Sequence, residues 1–452
     1  MSELSMYIAP SARTTGSGEA RATAVLGERA RNTLKTAVHH ELLRRMDLER
    51  LAAMQAEGMS GRQRLLAVIL QLIGEQNAPL STLDRDHLAQ NILDEVFGLG
   101  PLEPLLHDPT VSDILVNTYK TVYVERRGVI EKTNIVFKDE AHLMHIIDKI
   151  VSAVGRRIDE SSPMVDARLL DGSRVNIVIP PLAVDGPLLS IRRFGATPLT
   201  AEDLLRYRTL TPQMLETLRG AVRARLNIVV SGGTGSGKTT LLNVLSGFIS
   251  DAERIVTIED SAELQIKQEH VARLECRPSN LEGKGGIRQR ELVINALRMR
   301  PDRIILGEVR GEEALDMLQA MNTGHDGSIT TVHANNPRDA IARIETMAMM
   351  GSIVLPAAAI RAQIASAIDV IVQVSRMSDG SRRVTHISEI TGTSGDVISL
   401  QEIYLFEKLG LGPSGNVKGR FRSTGIVPKF GERLKAAGIP LGLNLLDHSV
   451  EV

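Results

Sequence analysis

The stretch Gly232-Gly233-Thr234-Gly235-Ser236-Gly237-Lys238-Thr239 constrains this chain more than any other. It matches G-x-x-x-x-G-K-[ST], a pattern that carries a mechanism only between a strand and a helix. The apolar run 226–230 precedes it and the helix-like run 240–245 follows, so that context is present. Glycines let the backbone curl until successive N–H groups point into one hollow, and the helix N-terminus adds positive potential there. Lys238 is placed to reach the β- and γ-phosphates of ATP, and the Thr239 hydroxyl to ligate Mg²⁺. The loop from Gly232 through Thr239, with Thr240 behind it, is the predicted nucleotide cradle. The alternative, a chance glycine-rich turn, does not account for the flanking strand and helix.

A chain of 452 residues has room for two to four domains. With 43% hydrophobic and 24% charged residues it reads as globular. A net charge of −1 gives no global attraction to nucleic acid or to a membrane surface. Only 3% of residues are aromatic, which disfavours stacking on single-stranded bases. The one cysteine, Cys276, excludes an internal disulfide and any multi-cysteine zinc module. No apolar run approaches the ~20 residues of a membrane span, and the start of the chain lacks the apolar core of a signal peptide. A cytoplasmic location is expected.

Punctuation and periodicity divide the chain. Residues 1–30 read as a flexible arm, and 31–98 as a helical bundle, with helices over 32–54, 62–76 and from Ser81 or Asp84 to Phe97. Residues 99–195 carry short strand patterns, one helix and the hairpin signal Asp171-Gly172, and read as a small α/β domain with a mixed sheet. A linker is expected over 196–210. From 211 to 400 strands and helices alternate, which implies a mostly parallel sheet covered by helices. Residues 401–452 read as an appendage.

Two acidic segments accompany the loop. Ile304–Leu306 is an apolar strand followed by Gly307 and Glu308, expected to lie beside the strand that feeds the loop, with Glu308 near Mg²⁺ and the attacking water. The usual pattern has an aspartate where this chain has Gly307. A second strand, 255–258, ends in Glu259-Asp260 with Glu263 beyond, and Glu259 could supply the missing acid. Glu308 is the first candidate to polarise water and Glu259 the second. The plain alternative is a pair of capped strand ends with solvated acids. His325 and His333 flank one further strand. Their spacing does not fit a metal-binding helix face. Ordinary loop histidines are the plain reading, but beside a phosphate loop His333 becomes a candidate γ-phosphate sensor and His325 a further nucleotide contact.

Together these segments resemble the secretion ATPase superfamily of type II secretion, type IV pili and type IV secretion. The resemblance rests on the Gly232–Thr239 loop, the Ile258-Glu259-Asp260 box, the Ile304–Glu308 strand and the histidine box Thr323–Asn335, and covers about residues 85–395. The stretches Asn295–Arg310, Asp166–Asn176 and Met321–His325 look most like the CpaF-like ATPases of Flp/Tad pilus assembly. The resemblance implies a RecA-like P-loop ATPase domain behind the smaller α/β domain, ATP and Mg²⁺, a homohexameric ring, and inner-membrane pilus platform proteins as partners, contacted peripherally from the cytosolic side; the near-zero net charge and few aromatics argue against direct nucleic-acid binding. The type II branch often carries a four-cysteine module, which one cysteine rules out here.

A cleft that closes on ATP needs cations opposite the loop. Arg192 stands just before the linker, and Arg168 and Arg174 on the hairpin of the same domain. Any of the three could be plain surface charge, but they are the candidates to meet the γ-phosphate, Arg192 first, while Arg298 and Arg300 are candidates for an interface. The leading expectation is a hexameric Mg-dependent ATPase powering Flp/Tad pilus assembly. A type IV secretion ATPase moving protein or DNA shares every box. A nucleic-acid motor and a nucleotide-gated scaffold without turnover are the readings from other classes.

Overall fold

The computed structural model describes residues 33–76, 78, 80–126, 128–193, 198–277, 279, 284–351, 355–439 and 449–451. The arm expected over 1–30 lies outside them. The chain forms two compact units that meet in sequence at Arg193 and Phe194.

The first unit begins with four helices, α1 (33–45), α2 (Leu48–Ala56), α3 (Met59–Glu75) and α4 (Thr82–Phe97). The single helix expected over 32–54 is two, because the Asp47 carboxylate accepts the Arg50 N–H at 2.7 Å and starts a new helix there. Ser81 caps α4 by the same chemistry. Val38, Leu42, Leu65, Ile69, Leu72, Ala89 and Ile92 close the bundle core.

Next come α5 (Glu103–His107), β1 (Val111–Thr118), β2 (Thr121–Arg126), β3 (Val129–Lys132), α6 (Glu140–Ala153), β4 (Met164–Arg168), β5 (Arg174–Val178) and β6 (Leu188–Arg192). The strands make one sheet in the order β3-β2-β1-β6-β5-β4. Where a mixed sheet is expected, β1 pairs antiparallel with β2 and β6, and β5 antiparallel with β6 and β4. Hairpin-length connections link β1 to β2 and β4 to β5, which only antiparallel pairing allows. Ile146, Ile147 and Ile150 of α6 pack on the sheet face formed by Ile114, Val175 and Ile191.

The second unit runs α7 (Ala201–Arg206), α8 (Pro212–Arg223), β7 (Ile228–Gly232), α9 (Lys238–Ser246), β8 (Ile255–Glu259), β9 (Val271–Glu275), α10 (Gln289–Ala296), β10 (Arg303–Val309), α11 (Glu313–Asn322), β11 (Ile329–Val332), α12 (Pro337–Ala348), α13 (Ala357–Ala367), β12 (Val370–Arg376), β13 (Arg382–Ser394), β14 (Val397–Leu411), β15 (Val417–Ser423), α14 (Gly431–Ala436) and β16 (Ser449–Glu451). Part of the expected linker is therefore α7, which Thr200 and Asp203 start with a reciprocal capping box. The ten strands form one sheet in the order β16-β15-β14-β13-β12-β7-β11-β10-β8-β9, parallel from β12 to β9 and antiparallel from β12 to β16.

The expected appendage over 401–452 is corrected by this sheet. β14 crosses residue 400 without a break, and Ile403, Tyr404 and Phe421 lie in the same core as Ile228 and Val230 of β7. Glycines at the β14–β15 turn hide the alternation that makes these residues strands. Among the described residues no helix is long and apolar enough to cross a membrane.

Arg303, at the start of β10, is fully buried. It donates to both Glu253 carboxylate oxygens, at 2.6 and 3.1 Å, and to the carbonyls of Val222 and Gly327. Glu253 also pairs with Arg225 at 2.8 Å, so removing Arg303 leaves it one cation, and the cost falls at the lower end of the about 3–5 kcal/mol of a broken buried pair. Arg303→Ala is expected to lose stability of that order in urea unfolding, and a loss below about 1 kcal/mol would show the pair to be dispensable.

Candidate functional site

β7 is buried along its whole length and hydrogen-bonded on both sides, to β11 with Ser231 opposite Val332 and to β12 with Gly232 opposite Val374. Its carboxyl end releases the glycine-rich loop, and α9 starts at Lys238. Gly235 and Gly237 have φ of +66° and +98°, a region that favours glycine, and they swing the loop back over the helix N-terminus. Ser236 Oγ and Lys238 Nζ both donate to the Gly233 carbonyl, at 2.8 and 3.1 Å. Thr239 and Thr240 occupy the first turn of α9 and are half-buried.

The parallel register brings the other candidates to this edge. Val309 pairs with Val332 and Leu306 with Ile258, so Glu308, His333 and Glu259 all stand at carboxyl ends of the strands that share an edge with the loop. Ligands of open α/β sheets bind at that edge. One expectation about the order fails: β10 does not lie beside β7, because β11 sits between them. The histidine strand is thus the loop's direct neighbour, and the acid strand is one further out.

Glu259 ends β8 and is 3% exposed. Its Oε1 accepts the N–H groups of Glu263 and Leu264 at 2.8 and 2.9 Å, while Oε2 is buried with no hydrogen-bond partner among the described residues. Burial pushes its carboxyl above the ordinary range, against the pull of those two N–H groups and of Arg273. A Cβ on Gly307 would lie 3.0 Å from Glu259 Cγ, so the Glu259 side chain fills the space that a residue with a side chain would need there. The glycine in the usual aspartate place and the acid on the neighbouring strand are one arrangement. A buried carboxylate oxygen without a partner fits a cation. Among the described residues no group of three or more His, Cys, Asp or Glu could hold a metal ion. Mg²⁺ arriving with phosphates needs only one or two protein ligands.

Glu308 Oε2 accepts from Arg310 at 2.6 Å, and the other arm of Arg310 reaches Asp260 at 3.2 Å. Sequence patterning did not single out Arg310, although its place two residues beyond Glu308 on a strand end was a usable signal. The His333 imidazole is held below its ordinary pKa, first by burial and then by Lys238, with Glu308 opposing and Arg343 and Arg310 adding to the depression. A neutral ring beside Lys238 can donate one hydrogen bond and accept another. A cleft of about 500 Å³, a volume typical of small-molecule sites, opens here between Arg310, His333, Asn335, Arg343 and Met350.

His325 is a correction. It precedes β11, whose first residue pairs with Ile228 at the start of β7, so it stands at the opposite edge of the sheet from the loop. Its Nδ1 is buried with no hydrogen-bond partner among the described residues, and its carbonyl accepts from Ser328 Oγ. The strand that separates the two histidines points them to opposite edges. Burial and Asp260 push the Cys276 thiol up to about 12, so it is held in its protonated form at neutral pH. Arg298 and Arg300 are exposed on the turn after α10.

In the first unit, Arg168, Arg174 and Arg192 fall in one cross-strand row, Arg168 opposite Arg174 and Arg174 opposite Arg192. Asp113 of β1 completes the row and accepts from Arg192 Nε at 3.1 Å. Arg168 Nε donates to the Gly172 carbonyl. Two further cations in the second unit carry no sequence signal at all. Arg382 Nε donates to the Gly235 carbonyl at 3.2 Å, and Arg376 Nη1 lies 3.3 Å from where a Cβ on Gly235 would stand.

Comparison with known proteins places this geometry. The family of type II/IV secretion system proteins matches residues 95–399. The chain belongs to this family. A putative conjugal transfer protein of Mycobacterium tuberculosis is 40% identical over 309 residues, 67% of this chain and 87% of that protein. The type IV secretion system protein PtlH of Bordetella pertussis is 36% identical over 314 residues, 64% of this chain and 92% of that one. Among solved structures, the VirB11 ATPase of the Brucella suis type IV secretion system is 30% identical and covers 64% of this chain and 93% of that chain, at a TM-score of 0.36. Like those expected of a secretion ATPase, the two units are an α/β domain and a RecA-like domain.

The raised Glu259 carboxyl has a stability consequence. A group whose folded pKa exceeds its unfolded value costs the fold stability as pH rises from below the unfolded pKa through the folded one. Glu259→Gln keeps an oxygen for the two N–H groups and removes the charge. The variant is expected to melt above the parent at pH 7, with the gain gone by about pH 3.5, where both states of the parent are protonated. A variant that melts below the parent at pH 7 would show that Glu259 is stabilised as a carboxylate.

Proposed function

We propose that this secretion-family protein is a Mg-dependent ATPase that works as a homohexamer and powers assembly of a Flp/Tad-type pilus through inner-membrane platform proteins, from the cytosolic side. The observation that carries the ATPase reading is the meeting of the loop, Glu259, Glu308 and His333 at one carboxyl edge. The backbone N–H groups of Gly233–Thr239 and the Lys238 ammonium bind the β- and γ-phosphates. Glu308, oriented by Arg310, holds the attacking water and takes its proton. His333, neutral and close to Lys238, reports the γ-phosphate to β11. Thr239, Glu259 and Glu308 are the groups to hold Mg²⁺, which neutralises charge between the phosphates.

The row Arg168-Arg174-Arg192 supports a role in γ-phosphate neutralisation. Arg192, 58% exposed at its strand end, is the first candidate of the three. The Asp166–Asn176 and Asn295–Arg310 stretches favour the pilus branch. A second reading, a type IV secretion ATPase moving protein or DNA, is favoured by the names of the M. tuberculosis and B. pertussis relatives. Deleting the gene separates them: loss of surface pili with secretion and DNA transfer intact supports the first, and the reverse supports the second.

Glu308→Gln is expected to bind Mg·ATP as the parent does and to turn over about 10²-fold more slowly or worse. Near-normal turnover would move the water-activating role to Glu259. Arg192→Ala is expected to keep ADP binding while losing about 10³-fold in turnover. Rings mixed from Arg192→Ala and Lys238→Ala chains regain activity if the arginine acts across a subunit boundary. Unchanged turnover in Arg192→Ala would leave it a plain strand-end charge.

A further inference from the structure

The turn between β12 and β13 presents two arginines to the phosphate loop. Arg382 donates through Nε to the Gly235 carbonyl at 3.2 Å and through Nη1 to the Gly380 carbonyl at 2.9 Å, so one guanidinium ties the turn to the loop. Its Cγ lies 3.8 Å from where a Cβ on Gly237 would stand, and Arg376 Nη1 lies 3.3 Å from the same point on Gly235. The turn is itself braced. Asp379 accepts from Ser381 N and Oγ through Oδ1, at 3.0 and 2.7 Å, and from Val417 N of β15 through Oδ2, at 2.7 Å.

A loop with glycines at 232, 233, 235 and 237 has many backbone conformations, and only a few aim its N–H groups into one hollow. Ser236 and Lys238 hold its first half through the Gly233 carbonyl. Arg382 holds its second half through Gly235. A charge-assisted bond to a loop carbonyl is worth more than a neutral one, and it fixes the peptide whose N–H belongs to Ser236. We propose that Arg382, backed by Arg376, is a nucleotide-positioning residue, and that Asp379 passes the constraint on from β15 to the loop. The strands beyond β12 thereby set nucleotide affinity from outside the loop's own motif. This inference rests on the reading that the Gly232–Thr239 loop holds nucleotide phosphates.

Isothermal titration of the full chain with Mg·ADP tests it, alongside KM, kcat and the melting temperature. Arg382→Ala is expected to weaken Mg·ADP binding about tenfold. KM rises by a similar factor, kcat changes far less, and melting stays within about 2 °C of the parent. Arg382→Lys recovers most of the affinity, since an ammonium still donates to the carbonyl. Asp379→Ala weakens binding in the same direction by about threefold, and it carries the test if Arg382→Ala does not fold. Unchanged affinity in Arg382→Ala and Asp379→Ala overturns the proposal, as does a loss matched by a fall in melting temperature that Arg382→Lys does not reverse. If the parent chain itself fails to bind Mg·ADP, or Lys238→Ala binds as tightly as the parent, the underlying phosphate-site reading fails instead.

Discussion

Everything at the candidate site depends on the parallel pairing of β7 between β11 and β12. β7 is buried on both faces, and its backbone groups bond to neighbours on both sides. A one-residue shift of β7 would move Ile228 and Val230 out of one core and Val229 out of the other while breaking both ladders at once. Its carboxyl end therefore sets where the glycine loop leaves the sheet. Because β11, β10 and β8 run parallel to it in fixed register, the same pairing also sets where His333, Glu308 and Glu259 stand. Chemistry drawn from four segments converges without any of them needing a long reach.

Glu259 and Gly307 show how that convergence tolerates an unusual sequence. A side chain at 307 would press on Glu259, and a smaller residue at 259 would leave a gap beside Gly307. The two positions make sense only as a pair. The cost is a carboxyl group buried with one oxygen unsatisfied, the kind of local violation that proteins keep at functional sites.

The loop, both acid strands and the alternation of strands and helices were legible in the sequence because each is a local pattern: apolar runs of strand length, ended by glycine or acid. What was not legible is non-local. Strand order is not written in any one segment, so the insertion of β11 between β7 and β10 could not be read, and with it the proximity of His333 and the remoteness of His325. Arg376 and Arg382 reach the loop only because β12 pairs with β7 and the chain then reverses into β13. The terminal strands read as an appendage in the sequence because their cross-strand partners, not their own hydrophobicity, make them part of the sheet. The arginine row is an intermediate case: each member stands out on its own in the sequence, but the register that lines them up belongs to the pairing of β4, β5 and β6.

Glu308, the buried Glu259 and His333 share one edge with the phosphate loop, and the proposed reading is a protein that splits the nucleotide rather than one that merely holds it. The direct test is steady-state phosphate release by the purified full chain with ATP, with and without Mg²⁺. The account predicts release that saturates with ATP and stops when Mg²⁺ is chelated. Tight ATP binding with no phosphate released under any Mg²⁺ concentration would contradict it and leave the protein a nucleotide-gated scaffold.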